Sequence, residues 1–306
     1  MSYLGNPRVA MVRQDRMPVA NYEVAGNPTV DVNPAFTPCT WLNVLTGEIW
    51  LCTDNTPGSN VWFNANCLAT LRTGLLFFFD GEVDGGGNPV DRTGNFTATK
   101  RGSFTTSIES SGPLKGRQVF SLNGTDADVL VEDSEELRLT GDLTFAMWGK
   151  VASDVDFTTT QLDLISCTSS GETLSNNYLY GLKHEETLNG NLATFHEYGN
   201  GANISSYGSP DFAYKDEWYF LVASRQAGLT WNTSLYRNST SAWTHGSIVC
   251  SHVPEKDYNA VNTQRVILFN EAGMTYYKGL CGGVGLWNRA LGRRDRLALL
   301  DNFFLL

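Results

Sequence analysis

Two groups of oxygen-bearing side chains have the types and spacing of a calcium site. Asp80, Asp91 and Asn95 fall within sixteen residues of one another, and Asn123 and Asp126 lie in a later turn. Calcium takes about six to eight oxygen ligands from carboxylates, Asn side chains and backbone carbonyls. Asx residues in such turns also cap backbone N–H groups. The sequence therefore leaves two interpretations, a calcium site and a set of Asx-capped turns.

A second set of side chains has the chemistry of a sugar-binding surface. Such surfaces combine aromatic rings with a few amide or carboxylate groups that fix orientation. Two Gly-, Asn- and Ser-rich segments carry the candidates, which are Tyr198, Asn200, Asn203, Tyr207, Trp231 and Trp243. A tryptophan in an alternating strand can instead pack between sheets. Each aromatic residue therefore keeps two interpretations.

The sequence shows neither the spacing of paired catalytic acids nor that of a Ser-His-acid triad. The stretch Val-Glu-Asp-Ser-Glu-Glu offers Glu132 and Glu136 as paired acids, but Ser134 interrupts the strand on which alternate positions would share a face. The four histidines lie in unrelated segments, and no Gly-x-Ser-x-Gly elbow accompanies them. We therefore expect no enzymatic activity.

Composition narrows the classes of partner. Of the 306 residues, 42% are hydrophobic and 18% charged, which is enough apolar material for a core. The formal net charge of −10 disfavours binding to a phosphate backbone, so we expect no nucleic-acid partner. No apolar stretch has the length of a signal peptide or a membrane span, so we expect cytoplasmic synthesis and no membrane insertion.

The six cysteines contain no C-x-x-C pair, which argues against a zinc or thioredoxin-type site. Buried free thiols are expected in a protein made in the cytoplasm. Cys39 and Cys52 flank a hairpin-like unit and are the one pair whose disulfide state is worth testing.

The elements that must position these residues divide the chain at about residue 70. Residues 1–38 hold half of the ten prolines and predict an extended arm. Short apolar runs around Thr46-Gly47 predict a small β-module, which cannot be stable alone. We therefore predict that residues 1–70 anchor the chain to a partner through Trp41, Trp50 and Trp62.

Residues 71–306 predict one larger all-β domain. Short apolar or alternating runs recur between Gly-, Asn- and Ser-rich turns, which is typical of a sandwich or jelly roll. Only the stretch Leu-Gly-Arg-Arg-Asp-Arg-Leu-Ala-Leu-Leu near the end has helical spacing, and it predicts one short C-terminal helix.

The stretch from Phe120 to Val151 resembles the laminin-G-like branch of the concanavalin A-like lectin and glucanase superfamily. The matching positions are Asn123-Gly124, Val129-Leu130-Val131, Asp133-Ser134 with Leu137, Thr140-Gly141-Asp142 with Thr144-Phe145, and Trp148. Three further segments agree in order, beginning at Leu75, Asp216 and Gly285. The resemblance implies a concanavalin A-like jelly-roll sandwich, a calcium ion near its first loop, and a lectin-like face.

The segment before residue 70 resembles N-terminal parts of bacteriophage and prophage virion proteins. The matching residues are the Gly-Asn-Pro-Thr-Val-Asp-Val-Asn-Pro run and the stretch from Thr40 to Trp62. This implies a capsid decoration protein or tail fibre at the virion surface, bound to other virion proteins through residues 1–70. It also implies a homo-oligomer, with a trimer favoured, that attaches to a host-surface glycan. The alternative is a free carbohydrate-binding or carbohydrate-processing protein with an N-terminal flap.

Overall fold

The computed structural model divides the chain into two compact units. It describes residues 22–25, 28, 34, 39–43, 48–54, 56–57, 61–156, 162–169, 178–187, 190–199, 202–208, 215–226, 230–249, 264–271 and 275–306, several strand segments among them by backbone alone. The smaller unit combines Met1–Thr73 with Leu297–Leu306, and the larger is Gly74–Arg296. Among the described residues, no helix has the length and apolar character needed to cross a bilayer.

The smaller unit contains a four-stranded sheet. Its strands, in spatial order, are β1 (Tyr22–Val24), β2 (Cys39–Asn43), β3 (Glu48–Asp54) and β4 (Val61–Asn64). Strand β1 pairs with β2 in parallel, and the other neighbours are antiparallel. The predicted small N-terminal β-module is therefore confirmed. The stretch from Thr40 to Trp62 predicts three short strands, and Tyr22–Val24 adds a fourth.

Two features of the smaller unit were not predicted. Helix α1 (Ala65–Arg72) follows β4 directly, and eight residues are too few for periodicity to distinguish a helix from a buried strand. The last ten residues group with this unit, whereas the sequence pattern predicts that residues 71–306 form one domain. A hydrogen bond of 2.5 Å from Nη2 of Arg72 to the carbonyl oxygen of Leu305 connects α1 to these last residues.

The larger unit is built from two large antiparallel sheets and a small ribbon. The strands are β5 (Leu75–Val83), β6 (Pro89–Asp91), β7 (Ala98–Arg101), β8 (Thr105–Ile108), β9 (Gln118–Asn123), β10 (Asp128–Val131), β11 (Leu143–Val151), β12 (Leu162–Ser169), β13 (Tyr178–Thr187), β14 (Gly190–Gly199), β15 (Ala202–Gly208), β16 (Tyr219–Gln226), β17 (Thr230–Arg237), β18 (Ala242–Val249), β19 (Gln264–Leu268), β20 (Asn270–Glu271), β21 (Thr275–Tyr276) and β22 (Lys278–Trp287). Short 3₁₀ helices in this unit span Gly112–Leu114 and Glu135–Leu137. Helix α2 spans Arg293–Asn302, of which the first four residues belong to this unit, and a 3₁₀ helix of the smaller unit spans Phe303–Leu305.

The two sheets have distinct strand orders. The first sheet runs β18-β17-β16-β11-β22-β5-β6, with β9 also paired to β22 and β8 to β9. The second sheet runs β15-β14-β13-β12-β19-β10-β7. Hairpin-connected strands lie side by side at the outer end of each sheet, whereas β16, β11 and β22, and likewise β12 and β19, are neighbours that are distant in the chain, as in a jelly roll. The order brings β11, from the Trp148 motif, between strands that come from much later in the chain.

The core lies between these two sheets. In β11, the alternate residues Phe145 and Met147 belong to the main hydrophobic cluster, which also takes Val266 and Leu268 from β19 of the second sheet. Because strand side chains alternate in direction, Trp148 falls on the opposite, outer face of the first sheet. The predicted all-β sandwich with a short C-terminal helix is thus confirmed.

Candidate functional site

Asp91 is the centre of one predicted calcium cluster, and it acts as a capping carboxylate. It is 8% exposed. Its Oδ1 accepts hydrogen bonds from the amides of Phe78 and Thr93, at 2.9 and 3.0 Å. Its Oδ2 accepts from the Thr93 hydroxyl at 2.7 Å and from the amides of Asn95 and Phe96 at 3.1 and 3.0 Å. Both oxygens of Asp91 are therefore occupied by protein donors.

Asp80 and Asn95 also have protein partners. Asp80 accepts a hydrogen bond of 2.8 Å from Nε of Arg92, which makes it one half of an ion pair. The side-chain amide of Asn95 donates to the carbonyl oxygen of Leu76 at 3.0 Å. Asn95 and Asp91 thus meet in one turn, where they fasten it to β5 rather than presenting oxygens to a common point.

The second predicted cluster forms an Asx-capped turn. Oδ1 of Asn123 accepts from the amides of Thr125, Asp126 and Ala127 at 2.9 to 3.3 Å. Asp126 accepts from Nδ2 of Asn123 at 2.6 Å and from the amide of Ser103 at 3.1 Å. These hydrogen bonds hold the pKa of Asp126 below its usual value.

The five predicted ligands do not fit a calcium ion as they are arranged here. The carboxylates of Asp91 and Asp126 face N–H and O–H groups, whereas a cation needs oxygen lone pairs directed at one point. Within the described part of the chain, no group of three His, Cys, Asp or Glu residues is arranged to hold a metal. The geometry matches the second interpretation, that of Asx-capped turns.

The predicted anchors lie on the sheet of the smaller unit. Trp41 and Trp50 are directly opposite each other on β2 and β3. The ring of Trp41, 8% exposed, lies 5.8 Å from that of Tyr22. Trp50 is half-buried, and its buried indole Nε1 has no hydrogen-bond partner among the described residues. For Trp62 the described structure gives only the backbone pairing in β4.

Cys39 and Cys52 are also direct cross-strand partners on β2 and β3. Both are buried free thiols. Burial raises the pKa of Cys39 to about 12, and the neighbouring Cys52 adds to the shift. At neutral pH this thiol is therefore protonated and a weak nucleophile.

The predicted sugar-binding residues separate into three groups. Tyr198, Asn203 and Tyr207 lie on β14 and β15, where the backbone alone is described, and Asn200 lies outside the described residues. Trp231 is 3% exposed and belongs to the core cluster, so its ring offers no face to a ligand. Trp243, on β18, is half-buried and lies on the outer face of the first sheet.

Trp243 ends a row of aromatic side chains that crosses four neighbouring strands. Trp148 pairs with Phe220, Phe220 with Tyr236, and Tyr236 with Trp243. The ring centroids are 5.2 Å apart for the first pair and 5.5 Å for the last. Directly opposite residues project from the same face, so these four side chains form one continuous aromatic surface, here called the aromatic row.

Exposure increases along the aromatic row toward the edge of the sheet. Trp148 and Phe220 are buried, whereas Tyr236 and Trp243 are half-buried. His245, two residues beyond Trp243 on β18, is exposed, and its ring lies 6.0 Å from that of Trp243 at an interplanar angle of 8°. The inner pair provides a rigid floor for the outer pair. The i, i+2 spacing of Trp243 and His245 was the sequence signal that could have linked them.

A polar pair of residues lies beside the aromatic row, two residues away along β17 and β18. Ser234 lies directly opposite His245, and its Oγ is 3.0 Å from Nδ1 of that histidine. The same Oγ accepts a hydrogen bond of 3.1 Å from Nε of Arg296. Burial, together with the nearby charges of Arg293 and Arg296, lowers the pKa of His245. His245 is therefore neutral at neutral pH.

A groove of about 440 Å³ lies on the second sheet, beside β7 and β10. Thr97, Thr99, Glu132 and Asp133 contribute its polar side chains. Asp133 receives two hydrogen bonds of 3.1 Å from Nη2 of Arg138, and Glu132 accepts one from the hydroxyl of Thr97. Both acids are thus already engaged by protein donors.

Comparison with known proteins gives a likeness in fold. No protein-family model and no curated protein matches the chain. Domain 4 of AbnA, a GH43 extracellular arabinanase from Geobacillus stearothermophilus solved with arabinotriose, aligns with a TM-score of 0.50 at 14% identity, over 74% of this chain and 98% of that one. This chain therefore has a lectin-like jelly-roll β-sandwich fold.

Two further solved structures are similar at lower scores. The binding domain of botulinum neurotoxin DC aligns with a TM-score of 0.49 at 12% identity, over 76% of this chain. The chain spans about half of that domain, 52% of its length. The full-length tailspike protein 2 of Escherichia coli O157:H7 bacteriophage CAB120 aligns with a TM-score of 0.47 at 14% identity, over 65% of this chain and 26% of that one.

Proposed function

We propose that this chain is a non-catalytic carbohydrate-binding protein of a phage virion, a capsid decoration protein or tail appendage. The single observation that carries the binding function is the aromatic row, which crosses four strands and ends in the half-exposed rings of Tyr236 and Trp243. A half-exposed aromatic ring on a rigid sheet can stack against the apolar face of a sugar ring, and Trp243 is the principal contact.

The rigidity of the row lowers the entropic cost of binding a sugar. Trp148 and Phe220 are fixed in the sheet, so Tyr236 and Trp243 lose little conformational freedom when a sugar binds. One such surface with few polar contacts supports only modest affinity. Many copies on a particle convert weak contacts into useful avidity.

The attachment part of the proposal rests on the smaller unit. Its sequence resembles N-terminal segments of virion proteins, and it forms a β-module with Trp41 and Trp50 side by side. Trp50 is half-buried, and aromatic surface of this kind is enriched where protein partners meet. The proposed location is the virion surface, with the larger unit displayed.

The proposed function is non-catalytic, because the two acids of the groove beside β7 and β10 already have protein hydrogen-bond partners. A glycosidase needs one carboxylic acid that donates a proton and one free carboxylate. Asp133 is held by both oxygens on Arg138, and Glu132 accepts from Thr97. The proposed mechanism is adhesion of the intact glycan.

The binding function is tested with the full-length protein on a glycan array. We expect Trp243→Ala to reduce binding to the retained glycans at least tenfold. Ile108→Ala is the matched control, because Ile108 is an exposed hydrophobic residue on β8 outside the row, and it should bind as the wild type does. A folded Trp243→Ala protein that binds glycans normally would contradict the proposal.

The virion function is tested by mixing the full-length protein with phage particles that lack it and counting bound copies by electron microscopy. Trp50→Ala should lower the occupancy, and Ile108→Ala should not. Absence of binding by the wild-type protein, together with glycan binding on the array, would favour the alternative of a free carbohydrate-binding protein.

A further inference from the structure

A hydrogen-bonded chain of cationic and polar groups lies beside the exposed end of the aromatic row. Arg296 is buried, and its guanidinium donates from Nε to Oγ of Ser234 at 3.1 Å and from Nη1 to the carbonyl oxygen of Leu291 at 2.8 Å. Ser234 in turn lies 3.0 Å from Nδ1 of His245. The chain therefore runs from a buried charge to an exposed imidazole.

Chemistry fixes the direction of the bond from Arg296, and we assign the Ser234 proton to the bond with His245. Arginine is only a donor, so Oγ of Ser234 accepts from Arg296 and its own proton is available for Nδ1 of His245. In that arrangement the neutral imidazole carries its proton on Nε2. The exposed edge of His245 therefore presents an N–H donor next to the ring of Trp243.

The local charge around Ser234, His245 and Arg296 has the opposite sign to the net charge of the whole chain. The chain has a formal net charge of −10, yet Arg293 lies three residues before Arg296 on α2, on the same side of the helix. Burial first, and then the charges of both arginines, lower the pKa of His245. Asp295, the acidic neighbour on α2, is paired with Arg289 at 3.2 Å. Arg293 is exposed and forms no ion pair among the described residues. A local excess of positive charge therefore faces solvent.

We propose that Trp243 and this basic corner, formed by Ser234, His245, Arg293 and Arg296, together bind an acidic saccharide through its carboxylate. The inference rests on the proposed function and specifies its ligand. The sugar ring lies on Trp243, and its carboxylate accepts hydrogen bonds from the exposed edge of His245 and from the guanidinium of Arg293. Uronic acid and other carboxylated sugars are the matching class.

Charge complementarity decides between acidic and neutral sugars. Hydrogen bonds between a charged donor and a carboxylate are roughly twice as strong as neutral ones. The planar guanidinium of Arg293 matches a carboxylate with two parallel N–H groups. Arg296 holds its buried charge close by without needing to touch the ligand. A neutral sugar would gain the contact with Trp243 and leave the charges of the corner without a counter-ion.

The test compares binding of matched oligosaccharides that differ only in charge. The probes are a uronate trisaccharide, the neutral hexose trisaccharide of the same linkage, and a phosphorylated derivative of the neutral one. We expect the full-length protein to bind the uronate at least about tenfold more tightly than the neutral probe, and added salt to reduce this preference because exposed charges are screened.

Two variants locate the preference. Arg293→Gln should bring the preference for the uronate close to unity while binding of the neutral probe persists. Arg92→Gln is the charge-matched control, since Arg92 lies on a surface ion pair with Asp80, and it should keep the wild-type preference. Trp243→Ala should weaken binding of both probes.

Each other outcome has a distinct meaning. Equal binding of uronate and neutral probes would overturn the acidic-saccharide inference and leave the proposed function intact. Tighter binding of the phosphorylated probe than of the uronate would overturn the assignment to a carboxylate. Failure of all three probes, together with an unresponsive glycan array, would overturn the proposed function itself.

Discussion

The guanidinium group of Arg225 donates two hydrogen bonds to the carbonyl oxygen of Gly141, from Nε at 2.9 Å and from Nη2 at 2.5 Å. Nη2 also donates to the carbonyl oxygen of Leu139 at 2.8 Å. Arg225 is 0% exposed, and its guanidinium lies 5.8 Å from the ring of Trp231. A buried charge on β16 therefore holds the Thr-Gly-Asp loop that leads into β11.

Replacing Arg225 with methionine should destabilise the fold strongly. The variant keeps the volume of the side chain but leaves the carbonyl oxygens of Leu139 and Gly141 without these donors. We expect a loss of about 3 kcal/mol in the free energy of unfolding, measured by urea denaturation. Arg92→Met, at a surface ion pair, should change it by less than about 1 kcal/mol. Similar losses in both variants would mean that the Arg225 contacts add little.

Gly102 should not tolerate alanine. Its φ is +68°, and a Cβ at this position would collide with the carbonyl oxygen of Asp126. Gly94 has a similar φ of +72° and open space around its Cα. We expect Gly94→Ala to cost about 1 kcal/mol from backbone strain alone, and Gly102→Ala to cost about 3 kcal/mol or more. Equal shifts in melting temperature would show that the collision is relieved.

Asp91→Asn should destabilise the first loop. An asparagine turns an N–H₂ group toward backbone donors that Asp91 now satisfies as an acceptor. We expect a loss of about 2 to 4 kcal/mol in the free energy of unfolding. Asp154→Asn is the control, since Asp154 is an exposed partner of Lys278, and it should cost less than about 1 kcal/mol.

Calcium and its removal should leave the melting temperature of the wild-type protein unchanged. The reason is that Asp91 and Asp126 are already occupied by protein donors. The measurement is a thermal melt in excess calcium chloride and in a chelator. A clear rise in melting temperature with calcium would restore the calcium site that the sequence resemblance implied.

Alkaline pH should weaken the larger unit from about pH 9 upward. Burial raises the pKa of the Cys167 and Cys281 thiols to about 12 from an ordinary value of 9.0. Because the folded-state pKa exceeds the unfolded value, their contribution is complete below pH 9 and is lost between pH 9 and about 12. Each thiol should cost about 1.4 kcal/mol per pH unit in that window.

Urea denaturation at several alkaline pH values measures this slope. Cys167→Ala removes one of the two thiols, so its free energy of unfolding should fall less steeply with pH than that of the wild type. Buried Tyr219 and Tyr277, whose pKa values are also raised by burial, add to the slope in both proteins. An identical slope in the variant would contradict the prediction for Cys167.

Periodicity in the sequence predicted the β-sandwich, the small N-terminal module and the C-terminal helix, because alternation and helical spacing are local properties of the chain. The same reasoning missed α1, whose eight residues span barely two turns. For Asn123 and Asp126, the sequence indicates a turn that carries oxygen ligands. Whether those oxygens would face a cation or the amide of Ser103 depends on a contact from a distant segment.

The amino-acid sequence by itself determined the sandwich, because the alternation of apolar residues needs a sheet with one buried face. Only the tertiary structure decided which aromatic residues are available to a ligand. Trp231 and Trp243 lie in similar local sequence, but β17 directs Trp231 into the core, whereas β18 places Trp243 on the outer face beside Tyr236. The row exists because long-range pairing aligns Trp148 with Phe220 and Tyr236. The register between strands that are distant in sequence depends on long-range contacts, so local periodicity cannot predict it.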